Sequence, residues 1–167
     1  MDLDFVRKYE AIVGATGDIE VETARAILDG KTEKPYGVNP ALQIDAASNP
    51  ERRYRIGAVP LSLFRENEEG VRYDGTVDLS RARDYASREA TAVPPVVATL
   101  SPRSGQLCIL DGGHRISAAR MRGDATIAAI VAIPIASNIV KIAIKLATVR
   151  KIDIEEEAVA VPGLRMR

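Results

Sequence analysis

"PPVVATLSPRSGQLCILDGGHRISAARMRGDATIAAIVAIP", residues 94–134, decides how this chain folds. Two short β-branched and aliphatic runs, PPVVATL and QLCILD, flank SPRSG, where Pro102 and Gly105 mark a turn, so the stretch predicts a hairpin. The second strand delivers Asp111 to the edge of the sheet. RISAARMR then puts Ile116 and Ala119 on one side of a short helix that stops at Gly123, a natural left-handed terminus. ATIAAIVAIPI supplies one more strand. Between strand and helix lies DGGHR, Asp111 to Arg115, with two glycines and the only histidine of the chain.

Upstream, YRIGAVPLSLF carries a β-type set, Ile56, Val59, Leu61 and Leu63, ending at Phe64 and followed by the acidic turn RENEEG. DLSRARDYASREA spaces Leu79, Ala82, Tyr85 and Ala86 for an amphipathic helix with an arginine-rich outer face and Asp78 as its cap. The N-terminal segment predicts a helix over Phe5 to Val13, punctuation at Gly14 and Gly17, and a second helix from Val21 to Leu28 stopping at Gly30. TEKPYGVNPALQIDAASNPERR, residues 32–53, is rich in Pro, Asn, Gly and Ser and is the best boundary. The chain thus divides into an N-terminal helical extension and loop (1–53), a domain (54–135), and a C-terminal helix and tail packing on it (136–167). The expected class is α+β or α/β, with a small mixed sheet of about four or five strands and helices packed on it.

Composition narrows the function classes. A chain of 167 residues with 46% apolar and 28% charged residues is an ordinary globular domain rather than a disordered or membrane protein. The longest apolar stretch, ATIAAIVAIPIASNIV, is interrupted by Pro134, Ser137 and Asn138 and falls short of a span. With 23 basic against 23 acidic residues, attraction to nucleic acid has to come from a local patch. Cys108 is the lone cysteine, in an apolar run where a buried thiol is expected, and with no secretory pattern in MDLDFVRKYE the expected setting is cytoplasmic.

A strand that turns through Gly-Gly into a helix exposes backbone N–H groups that an anion can approach closely. Arg115 offers a bidentate fork to phosphate, His114 a donor or proton carrier, and Asp111 a carboxylate for a divalent cation or an attacking hydroxyl. The same residues also fit a plain strand-to-helix turn, with Asp111 capping the helix and His114 bonded to a neighbouring carbonyl.

The order strand, acidic loop, helix, strand, followed by LDGGHRISAARMRGDATIAAIVA, resembles the ParB/sulfiredoxin superfamily over roughly Tyr54 to Ile135. Gly112, Arg115, Ala118 and Ala119 match its G-x-x-R-x-x-A-A turn. Where sulfiredoxins have a nucleophilic cysteine this chain has Gly113, which removes their thiol chemistry. Too few residues follow Arg150 for the DNA-binding domain of partition proteins. The best match is the stand-alone form of plasmid-borne ParB-like proteins that hydrolyse nucleotides or cleave DNA, and of small serine kinases.

That resemblance implies ATP or another NTP with Mg2+. Gly112, Gly113, His114, Arg115 and Ser117 would bind the nucleotide, and Asp111 the metal. Asp111 and His114, with Glu66 or Glu68 (or Glu69) of the acidic turn, would form the catalytic set, although that turn equally fits a solvated loop. The implied activity is Mg-dependent NTP hydrolysis with nuclease activity towards DNA, in plasmid conjugation or fertility inhibition. A kinase acting on a serine-like hydroxyl is the alternative. A non-enzymatic reading makes the chain a DNA- or protein-binding module, through Arg81, Arg83 and Arg88 and the basic end GLRMR.

Overall fold

The computed structural model describes residues 3–31, 52–65 and 78–135. Among them are four α-helices and five strands: α1 (Leu3–Ala15), β1 (Thr16–Ile19), α2 (Val21–Lys31), β2 (Arg52–Pro60), α3 (Leu79–Ala86), β3 (Val96–Leu100), β4 (Leu107–Asp111), α4 (Gly113–Arg122) and β5 (Thr126–Pro134). The strands form one sheet in the order β1-β2-β5-β3-β4, with β3 and β5 parallel and the other pairs antiparallel. The fold is mixed α and β, as the sequence predicts.

Apolar spacing sets which helix covers which face. In α1, Phe5 and Ile12 lie two turns apart and are both buried, joining Val96, Leu100, Leu107 and Ile116 on one face. In α2, Ala24 and Leu28 lie one turn apart and meet Tyr54, Val97 and Ile130 on the other. β5, sandwiched between the two layers, is buried continuously from Ala129 to Ile133, as a central strand should be. Outside this sandwich, α3 buries Tyr85 against Ala118 on the outer side of α4 and Val93 beside it.

The predicted hairpin forms, with Leu100 paired to Leu107, and α4 ends at Gly123 with φ +75°. Other expectations need correction. Gly14 does not break α1, and Gly17 lies inside β1, a strand the sequence reading does not contain. β1 exists because β2 is built to receive it. A Cβ at Gly57 would sit 2.1 Å from the Ala15 carbonyl oxygen, so only glycine admits this approach. Beside it, Arg55 donates to the Thr16 Oγ1 at 2.9 Å, the Val13 carbonyl at 3.1 Å and the Thr16 carbonyl, and pairs with Asp18.

α2 continues past Gly30 to Lys31, and Arg52 and Arg53 open β2 instead of closing the loop. At the other end β2 stops at Pro60, so Leu61 and Leu63 belong to a short 3-10 turn rather than to the strand. Proline lacks the N–H that would continue the ladder, and Leu61 N–H donates instead to Ala125 O at 3.0 Å. Cys108 is half-buried on the edge strand β4, not enclosed. Residues 66–70 of the acidic turn and the 136–167 tail, like most of the 32–53 loop, lie outside the described residues.

Candidate functional site

The end of β4 departs from simple alternation. Ala98 pairs with Ile109 but Val97 with Asp111, which leaves Leu110 as one extra residue in β4. Such a bulge bends the strand and re-aims the residues beyond it. Asp111 comes to lie opposite Val97 and beside the start of β3, and the chain then reverses through Gly112 at φ +113°, ψ 20°. A Cβ at Gly112 would meet Val96 Cγ1 at 2.7 Å and Arg115 Cζ at 3.1 Å, so both backbone angle and space demand glycine.

α4 begins at once. The N–H groups of Arg115 and Ile116 both donate to Gly112 O, at 2.9 and 3.0 Å, and Gly112, as the cap residue, supplies no side-chain bond. The N–H groups of Gly113 and His114 precede that first bond and have no acceptor within the helix.

Arg115, expected to reach for phosphate, folds back under the turn. Its Nη2 donates to Asp111 Oδ2 at 2.5 Å, and its Nη1 to Pro95 O at 2.5 Å and Pro94 O at 3.2 Å. The pair is nearly enclosed, with 7% and 13% of the two side chains exposed. Arg115 therefore ties together the start of β3, the end of β4 and the start of α4. Ser117 is buried and its hydroxyl donates to Gly113 O at 3.2 Å, which faces it along the helix rather than into the turn. Glu66, Glu68 and Glu69 fall outside the described residues.

His114 turns the other way, towards α3. Its Nε2 lies 3.7 Å from Asp78 Oδ2, and Asp78 caps α3 by accepting from the Arg81 N–H at 3.3 Å. At the far end of the same pair of helices, Arg122 Nη1 donates to Tyr85 O at 3.0 Å. The two contacts show that α3 and α4 run parallel, with both N-termini at His114 and Asp78. Burial holds the His114 imidazole below its usual pKa, Arg81 pushes it down further, Asp78 opposes, and weaker effects of Arg115 and Asp111 lower and raise it in turn.

The outer face of α3 is laced to itself. Arg88 pairs with Asp84 at 2.7 Å and lies 5.3 Å from the Tyr85 ring centre, Arg81 lies 6.0 Å from the same centre, and Arg83 is exposed. Among the described residues no group of three or more His, Cys, Asp or Glu side chains gathers to hold a metal ion. Asp111, the expected metal ligand, has its Oδ2 on Arg115.

No family model and no curated protein matches this chain. The site's meaning therefore rests on its geometry. Sequence reading missed the bulge at Leu110 and the role of the Pro94 and Pro95 carbonyls. Neither left a signal in the sequence, because the bulge and the contacts of Arg115 with those carbonyls depend on how β3, β4 and α4 pack together.

Among the described residues, no helix is long and apolar enough to cross a membrane.

Proposed function

We propose that the protein binds a nucleotide by its phosphates at the shared start of α3 and α4 and hydrolyses it, in the manner that the likeness to the ParB/sulfiredoxin superfamily implies. The observation that carries this reading is the parallel pairing of two helices whose first turns meet at His114 and Asp78. The Asp78 carboxylate already answers the positive end of α3, so an anion is drawn to the start of α4 beside it, which presents about half an elementary positive charge and has no cap from its own Gly112.

In this reading the N–H groups of Gly113 and His114 hold phosphate oxygens, and the His114 imidazole is the nearest side-chain donor. Arg115 and Asp111 act as positioning residues that fix the glycine turn. Mg2+, which neutralises charge on transferring phosphate, arrives on the nucleotide, whose phosphates and water supply most of its ligands. Hydrolysis and transfer to a small hydroxyl share this binding step, and release of free phosphate without an added acceptor separates them.

The test is calorimetric titration of Mg-ATP and Mg-CTP into the wild type and Gly113→Asp, with phosphate release measured on the same samples. An aspartate in the first turn suits the helix dipole but repels an anion. Binding weakened at least about tenfold in the variant, equivalent to about 1.4 kcal/mol, supports the reading. Equal binding by both proteins, or none to the wild type, contradicts it.

A further inference from the structure

The contact between α3 and α4 contains a group that conditions near neutrality can charge. His114 is the sole histidine of the chain, and its Nε2 is buried with no hydrogen-bond partner among the described residues. The nearest acceptor, Asp78 Oδ2, stands at 3.7 Å, beyond hydrogen-bond reach but within range of an ion pair. Four side chains set the field at the imidazole: Asp78 and Arg81 from α3, Asp111 from β4, and Arg115 from its own helix.

These groups receive a proton badly. Asp111 Oδ2 is held by the Arg115 guanidinium, and Asp78 takes the Arg81 N–H on Oδ1 while its Oδ2, the oxygen facing the imidazole, stands too far off for a hydrogen bond. Two guanidinium groups and the positive start of α4 oppose the charge. Burial opposes it as well, because the side chain is only 19% exposed. At the other end of α3, the Arg122 bond to Tyr85 O and the packing of Tyr85 on Ala118 hold the helix without any titrating group.

We propose that His114 is a proton-sensitive pin between α3 and α4: the neutral imidazole seats the first turn of α3 against α4, and a protonated one drives that turn off into water while the far end stays attached. The device needs no ligand and stands apart from the nucleotide reading.

Hydrogen exchange of the full chain, without ligand, followed by NMR between pH 7.5 and 5 and corrected for intrinsic rates, tests it. In this range His114 is the one side chain of ordinary pKa to titrate. Protection of the α3 amides is expected to fall below pH 6.5 by up to about tenfold per pH unit, levelling off once the seated form also protonates, while β5 amides keep theirs. His114→Gln should abolish the step. Arg81→Gln, a second variant that keeps the imidazole, should shrink the step by easing protonation in place. Constant α3 protection in the wild type, a step that survives in His114→Gln, or loss spread equally over β5 would each overturn the proposal.

Discussion

Asp111 and Arg115 face each other across the Gly112 reversal, carboxylate oxygen to guanidinium nitrogen at 2.5 Å, and the other arm of the same guanidinium closes on the carbonyls of Pro94 and Pro95. One side chain thus fixes three chain segments that are remote or reversed in sequence, and the open helix start above it inherits that rigidity.

Removing that brace should cost more than an average substitution. Arg115→Ala leaves a mostly buried carboxylate and two prolyl carbonyls without their donor, so a loss of about 3–5 kcal/mol is expected, read as a shift in the urea midpoint. Arg115→Lys, a single point charge in place of a planar fork, should recover only part of it.

Gly112→Ala and Gly123→Ala separate strain from crowding. Both glycines have positive φ, but a Cβ meets Val96 at 2.7 Å at the first and nothing within 4 Å at the second. The second variant should lose about 1–2 kcal/mol from the left-handed backbone alone. The first should lose a further 1–3 kcal/mol or so from overpacking, measurable by the same denaturation experiment.

Arg55→Ala should release the β1 edge. The guanidinium satisfies the Thr16 hydroxyl and the carbonyls of Val13 and Thr16, where α1 gives way to β1. Faster amide exchange in Thr16–Ile19, with β5 unaffected, is the expected result.

Acid should weaken the fold through His114 in a defined direction. Its folded pKa lies below the unfolded value, so the unfolded chain binds the extra proton. The stability is fully present above about pH 6.5 and is lost as pH falls through the lower folded value. Melting temperature should drop over that window in the wild type and stay level in His114→Gln.

The elements legible in the sequence obey local rules. The SPRSG hairpin, the Asp78 cap and the Gly123 terminus depend on residues close in the chain, and each forms where the pattern puts it. β1 was not legible because TGDI has no apolar alternation, and its pairing depends on Gly57 and Arg55, about forty residues away. The site divides in the same way. Gly-Gly before a helix announces an open N-terminus, but the inward turn of Arg115 depends on carbonyls of a neighbouring strand. The approach of His114 to Asp78 depends on how two helices pack.

Phosphate binding at the joint start of α3 and α4 should be visible by NMR titration of the 15N-labelled protein with Mg-ATP. The amides of Gly113 and His114 should shift most, with Leu79 and Ser80 at the start of α3 next, all saturating together. Saturable shifts centred elsewhere on the sheet, or none at millimolar nucleotide, would mean that phosphate does not bind at these helix starts.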